Sequence, residues 1–290
     1  MRFAKAADMP RIAEIWQQGF GDSPKEIADF FDAFYGRIRV ALWEEDNRIA
    51  GQLCLIPVSL TLQGGESLPL YYIYAVATSP ESRGRGVCTR LLADTAKWLQ
   101  EEKTAAFLVP ADEALAAFYE RRGFSRLFAE EVLSLGETVW EEAISKPLLE
   151  PVGATEYMQL RKGGFAGKNH VEVPDEYLSH ALHLHTAEGG ICARLTVGGR
   201  EYGVLYRSLP DAKEALAGHA LTTGQKEAAE RTVLIQEITA ADNAEAIRAA
   251  QALLAALGEK KAVLRRSYTT LGIGIPATLP RDGFFNLPLS

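Results

Sequence analysis

The stretch YIYAVATSPESRGRGVCTRLL, from Tyr72 to Leu92, constrains the fold more than any other part of the chain. It starts as an aromatic and β-branched run of strand type, crosses a turn containing Gly84 and Gly86, and continues as a helical apolar pattern. Strand, glycine loop and helix in that order place the chain in the mixed α/β class, a twisted sheet flanked by helices. Glycines at a helix start leave successive backbone N–H groups open, and the positive end of the helix favours an anion. Arg83, Arg85 and Arg90 add positive charge at the same place. Taken alone, the loop reads either as a phosphate cradle or as a turn with solvated arginines.

Three phosphate motifs compete for it. A nucleotide-binding loop of the GxxxxGK[ST] type needs a Lys-Ser or Lys-Thr pair after the glycines, and none follows. A dinucleotide fingerprint needs a third glycine where Thr89 stands. The third motif, [RQ]xxGx[GA] opening a helix after a strand, belongs to the GNAT superfamily of acetyl-CoA-dependent N-acetyltransferases. Arg83-Gly84-Arg85-Gly86-Val87-Cys88 resembles it, with Cys88 where Gly or Ala is usual. Downstream, AFLVPADEALAAFYERRGF resembles the superfamily's next strand and the helix with its Tyr-x-x-x-Gly-Phe ending.

The resemblance implies acetyl-CoA as cosubstrate and a primary amine, on a small molecule or a peptide, as acceptor. It implies that Val76, Ala77 and Thr78 lie where the strand splays from its neighbour. The cofactor then lies against these three residues and against Arg83, Gly84, Arg85, Gly86, Val87, Cys88 and Thr89. Backbone amides near Val76 and Thr78 are expected to polarise the thioester carbonyl, and Tyr119 to donate a proton to the leaving thiolate. Cys88 is expected to be a small packing residue beside the cofactor, although a helix start also lowers thiol pKa values. The base is open: LPLYYIYAVAT contains no carboxylate, and Asp22, Asp32, Glu113 or a water chain remain. A non-catalytic acyl-CoA sensor or scaffold is the alternative function.

Beyond a seam around EEAISKPLLEPVGATE the chain repeats the order helix, hairpin, buried strand, helix, strand. Two GNAT-like lobes are therefore expected, 1–145 and 152–290. The second is degenerate, because EITAADNAEAI places Asp242 and Asn243 where the first lobe has its glycines. Helix capping is favoured there and a phosphate is not, so no acetyl-CoA is expected in that lobe. This layout is similar to the bacterial enhanced-intracellular-survival family, which usually adds a sterol-carrier-like domain absent after Ser290. That family's terminal carboxylate is accordingly not assigned to Ser290.

Smaller features complete the reading. Asp8 is the expected N-cap of a helix from Met9, and Ser23-Pro24 opens another. Phe30, Phe31, Phe34 and Tyr35 are either core or a wall of the acceptor cleft. Arg121 and Arg122 cap a helix end or stay solvated. His180, His183 and His185 lack the accompanying ligands of a metal site, so no metal is expected. A formal charge of −7 argues against a nucleic-acid partner. The apolar run LCLIPVSLTL is too short to span a bilayer and reads as a buried strand. Three scattered cysteines and no secretory leader suggest the cytoplasm. Oligomeric state is not legible.

Overall fold

The protein's structure is a computed structural model that describes residues 1–34, 36–129, 131–136, 146–209, 232–240, 242–275 and 285. The first half runs β1 (Arg2–Phe3), α1 (Met9–Phe20), α2 (Pro24–Ala33) and the meander β2 (Arg39–Glu45), β3 (Arg48–Thr61) and β4 (Ser67–Thr78). It continues with α3 (Val87–Glu101), β5 (Ala105–Leu108), α4 (Glu113–Glu120), β6 (Ser125–Phe128) and β7 (Glu131–Leu135). The second half runs β8 (Leu148–Pro151), α5 (Ala154–Gly164), β9 (His170–Glu172), α6 (Asp175–Ala187), β10 (Ile191–Val197) and β11 (Arg200–Leu209). It closes with β12 (Thr232–Ile238), α7 (Asn243–Leu257), β13 (Lys261–Ser267) and β14 (Thr270–Ile273).

Local chemistry explains most boundaries. Ser23 Oγ accepts the Glu26 N–H at 3.3 Å while the Glu26 carboxylate accepts the Ser23 N–H at 2.7 Å, a reciprocal cap for α2. Asp8 precedes α1 but makes no side-chain cap. Its carboxylate instead takes the Arg2 guanidinium at 2.7 and 2.9 Å and the Lys5 N–H at 2.7 Å. Asp46 and Asn47, with φ of 50° and 60°, form the tight β2–β3 turn whose twist suits a hairpin. Pro57 is tolerated inside β3 because β2 stops pairing at Leu55 and β9 starts at Ser59, so that edge has no ladder to break.

The strands form two mixed sheets. The eight-stranded sheet has the order β1-β2-β3-β4-β5-β14-β6, with β9 paired to β3; the six-stranded sheet is β7-β13-β12-β11-β10-β8. In the first, α1 and α2 cover one face through Ile12, Trp16, Ile27 and Phe30. The opposite face packs on α3 and α4 through Leu91, Leu99, Ala116 and Tyr119. The sheets exchange strands across the seam near residue 150: β7 lies in the second sheet, while β9 and β14 lie in the first. KAVLRRSYTTLGI, residues 261–273, is therefore two strands of different sheets. Its Thr270 is fully buried, and the hydroxyl accepts the Phe128 N–H of β6 at 2.9 Å.

The exchange makes a testable demand on lobes cut at the seam. A fragment of residues 1–150 lacks β14 and leaves β5 and β6 without the strand between them. It is expected to show no cooperative thermal transition by circular dichroism. Melting at the temperature of the full chain would show that β14 is dispensable.

Candidate active site

β4 holds the geometry together. It pairs in parallel with β5 at Leu70–Ala105, Tyr71–Ala106 and Tyr72–Phe107, and then the two strands part. From Ile73 to Thr78, β4 keeps β3 on one side and has no strand on the other among the described residues. Two residues, Ala75 and Val76, stand opposite Leu53 alone, and Ala75 adopts φ +50°. That is a β-bulge in a conformation an alanine Cβ resists, and it bends the strand away from β5. Val76, Ala77 and Thr78 lie on this open stretch. Phe285 packs on Tyr72 and Phe107 at the fork, with ring centroids 5.3 and 5.2 Å away.

The glycine loop follows directly. Gly84 and Gly86 take φ of +76° and +77°, and Gly86 is the residue before the first turn of α3. The amides of Gly84 to Thr89 meet no backbone acceptor among the described residues, as expected of a helix start open to an anion. The helix start is docked close to the sheet: a Cβ on Gly51 of β3 would lie 2.7 Å from Val87 Cγ1. Arg83 is exposed. Arg85 and Arg90, expected as free positive charge, both reach Glu45, at 3.6 and 2.5 Å. Arg90 also lies over the Trp43 ring, at 5.3 Å. Their charge at the loop is thus partly balanced, whereas the loop amides meet no backbone acceptor among the described residues.

Tyr119 of α4 stands on the α3 side of the fork, 8% exposed, in one cluster with Leu91, Ala116 and Phe124 and with Cys88 packed against it. Burial raises its phenol above the ordinary range, and the neighbouring Cys88 adds to this against the opposing Arg122. Arg122 does more than cap a helix. It donates to Thr89 Oγ1 at 2.9 Å and to the Phe118 carbonyl at 2.6 Å, which ties the end of α4 to the first turn of α3. Cys88 gains no thiolate character from the helix start, because burial pushes its thiol up to about 11.

The other face of the fork is aromatic. Trp16 and Phe30 pack on Tyr74, Phe31 packs on Trp16 and Phe30, and Trp16 Nε1 donates to Asp22 at 2.7 Å. Phe30 and Phe34 are core residues, Phe31 is half-buried, and Tyr35 and Ser290 lie outside the described residues. Of the carboxylates considered as bases, Glu113 holds Arg126 and Asp32 is exposed; Asp22 alone borders this face. The second lobe contributes α6: Tyr177 and His180 pack on Phe34, and Glu176 pairs with Arg37 at 2.8 Å. His185 bonds the Ile191 carbonyl at 3.2 Å, so these histidines do not converge.

The second lobe repeats the fork with different contents. β12 and β13 pair in parallel from Thr232–Lys261 to Ile235–Leu264 and stop. Buried Arg266 reaches across from β13, donating to the Ile238 carbonyl at 3.3 Å and to Asn243 Oδ1 at 3.2 Å. Asp242 caps α7 through the Glu245 N–H at 2.8 Å. On the α5 face, Glu237 is fully buried between Tyr157 and Arg161. Sequence reading identified the cap and missed the arginine and the buried triad, which depend on contacts between distant segments.

Residues 1–127 match the acetyltransferase (GNAT) domain family. Over nearly the whole chain the fold is similar to a GCN5-related N-acetyltransferase from Anabaena variabilis ATCC 29413, with TM-score 0.69, 16% identity, and 94% of this chain and 73% of that one covered. A conserved protein from Enterococcus faecalis V583, described as a probable N-acyltransferase, gives 0.69 at 14% identity, covering 93% and 71%. Eis1 from Mycobacterium abscessus gives 0.65 at 16% identity, covering 91% and 64%, so this chain spans somewhat under two thirds of that protein. No curated protein matches the chain significantly. The likeness establishes a shared fold over both lobes, and the family match lies within the first lobe.

The site's thiol chemistry is directly checkable. Cys54 is pushed far up by complete burial, Cys192 to about 12 and Cys88 to about 11. Raising a thiol pKa leaves less thiolate at a given pH below it. Native protein at pH 8 is therefore expected to react with iodoacetamide about 10²-fold more slowly at Cys88 than an unperturbed thiol does. Rapid labelling of Cys88, located by mass spectrometry, would contradict the burial seen here.

Proposed function

With residues 1–127 forming a GNAT acetyltransferase domain, we propose that the protein transfers acetyl from acetyl-CoA to a primary amine by direct attack. The observation that carries the reading is the fork itself: a bulged β4 with an open edge, running into a left-handed glycine loop with unpaired amides. Acetyl-CoA supplies the activated acetyl group as a thioester. The loop from Arg83 to Thr89 fits its diphosphate, and the open edge of Val76, Ala77 and Thr78 offers backbone groups to its amide-bearing arm.

Backbone amides near Val76 and Thr78 polarise the carbonyl in a fixed, partly dry setting. Tyr119 is the proton donor for the leaving sulfur. Its raised pKa keeps the phenol protonated through neutral and moderately alkaline pH, so it is ready to donate. The acceptor is a small-molecule or peptide amine entering on the aromatic face, where Asp22 supplies a negative charge beside Trp16 and Tyr74. All three cysteines are free thiols, and no described helix is long and apolar enough to cross a membrane. Free thiols support a reducing compartment such as the cytoplasm.

The test is thiol release from acetyl-CoA across polyamines, aminoglycosides and lysine peptides. Turnover with at least one amine is expected, and Tyr119→Phe is expected to lower kcat by about 10²-fold while CoA affinity changes little. Unchanged turnover in that variant removes Tyr119 as the acid. Tight CoA binding without release for any amine would make the protein a sensor or scaffold, the reading that the carboxylate-free β4 favours. Gly86→Glu places a β-carbon and a negative charge at a left-handed position in the cradle. It is expected to abolish CoA binding by calorimetry. Retained one-to-one binding would move the site to the second lobe.

A further inference from the structure

Gln52 interrupts the apolar run of β3 and is 0% exposed, yet among the described residues neither its Nε2 nor its Oε1 has a hydrogen-bond partner. A carboxamide brings two donors and an accepting oxygen, and folded proteins rarely bury one with all of them unused. Its position is informative. Cys54, Ile56 and Val58 of β3 belong to the face under α1 and α2, whereas Leu53 and Leu55 belong to the face under α3 and α4. By the same alternation Gln52 lies on the α1 face, in register with Leu42 of β2 and Ala77 of β4. It is next to the residues that face the bulge, since Leu53 stands opposite Ala75 and Val76. Ala75, Ala77 and Gly19 of α1 offer it no polar side chain; a Cβ on Gly19 would lie 3.3 Å from Ala77 Cβ.

Tyr119 stands on the opposite face of the same fork. A thioester lying in the fork would have a proton donor on one side and an unused carboxamide on the other. No carboxylate on β4 can take the amine proton, and Asp22 already accepts from Trp16. Buried ordered waters bond otherwise unsatisfied buried polar groups, and this carboxamide offers such a water both a donor and an acceptor. We propose that Gln52 is a positioning residue that holds, beneath the Ala75–Val76 bulge, the water that takes the proton from the attacking amine. The proposal rests on the acetyltransferase reading.

The chemistry balances without a further reactant. The ammonium gives one proton to the water, which passes it to solvent. The freed lone pair forms the C–N bond, the C–S bond breaks, and sulfur leaves with its electron pair and takes the Tyr119 proton. The surplus proton on the new amide nitrogen restores the phenol, so one proton is released per turnover.

Two measurements test this. A high-resolution crystal structure of the chain is expected to show an ordered water bonded to both polar atoms of Gln52; a dry carboxamide would overturn the proposal. Gln52→Leu removes the polar group at similar volume, so its Tm is expected not to fall and its CoA affinity to stay within about twofold. Its kcat at pH 7 is expected to drop on the order of 10²-fold, with the kcat profile displaced to higher pH, because the amine must then arrive already neutral. Gln52→Met repeats the measurement should the leucine variant fail to fold. Wild-type kcat and an unmoved pH profile in the variant would refute the role of Gln52 alone. Failure of the wild-type chain to release thiol with any amine would instead refute the acetyltransferase reading, and this role with it.

Discussion

A parallel ladder between β4 and β5 that ends at Tyr72–Phe107 leaves the middle of a sheet open, which backbone groups ordinarily do not tolerate. Three features hold the opening. The bulge at Ala75–Val76 turns β4 away while β3 continues to pair with it as far as Thr78. Phe285 sits against the last paired rings and keeps them from closing further. The first turn of α3 is seated on Gly51, so the loop that follows β4 has a fixed end. The open edge is thus a property of the packing on both sides, and the left-handed glycines at its end continue a run of unpaired amides that β4 begins.

The second fork shows what the same architecture does when those groups are satisfied internally. Arg266 supplies donors to the Ile238 carbonyl and Asn243, and Asp242 takes the helix-start amide of Glu245. Glu237, Tyr157 and Arg161 fill the other face with a buried triad. Removing one partner of such a triad leaves a buried charge uncompensated, so its three members are held in place together. Between the two forks, the same strand and helix order separates open amides from filled ones.

Most strands, helices and caps were legible because they depend on neighbours in sequence; Asp8, drawn to Arg2 and the Lys5 N–H, was the exception. Ser23, Asp242, Gly258 and the Gly198–Gly199 turn do locally what their residue types require. The fork was legible only through a resemblance, since nothing in YIYAVAT by itself says that a ladder stops at Tyr72. Strand exchange was not legible: β13 and β14 are separated by two residues yet belong to different sheets, and both partners of β14, with β7 beside β13, lie more than a hundred residues away. Glu45 escaped notice for the same reason, being an ordinary hairpin carboxylate until Arg85 and Arg90 fold over it. Gln52 did leave a signal, a lone amide in an apolar strand, whose meaning appears only once its lack of partners is seen.

Strand exchange also accounts for keeping a lobe whose own crevice is filled. The edge of β5 away from β4 is held by β14, which belongs to the second half of the chain. β9 extends the row of β2 along β3, and α6 packs its Tyr177 and His180 against Phe34, the residue that follows α2. Phe285, again from the second half, is wedged at the fork, where its carbonyl accepts the Tyr268 N–H at 2.9 Å. Each of these contacts bears on the position of β5, α2 or the fork, and so on the width of the opening beside β4. The second half of the chain thus packs on the elements that flank the open edge, through β14, β9 and α6.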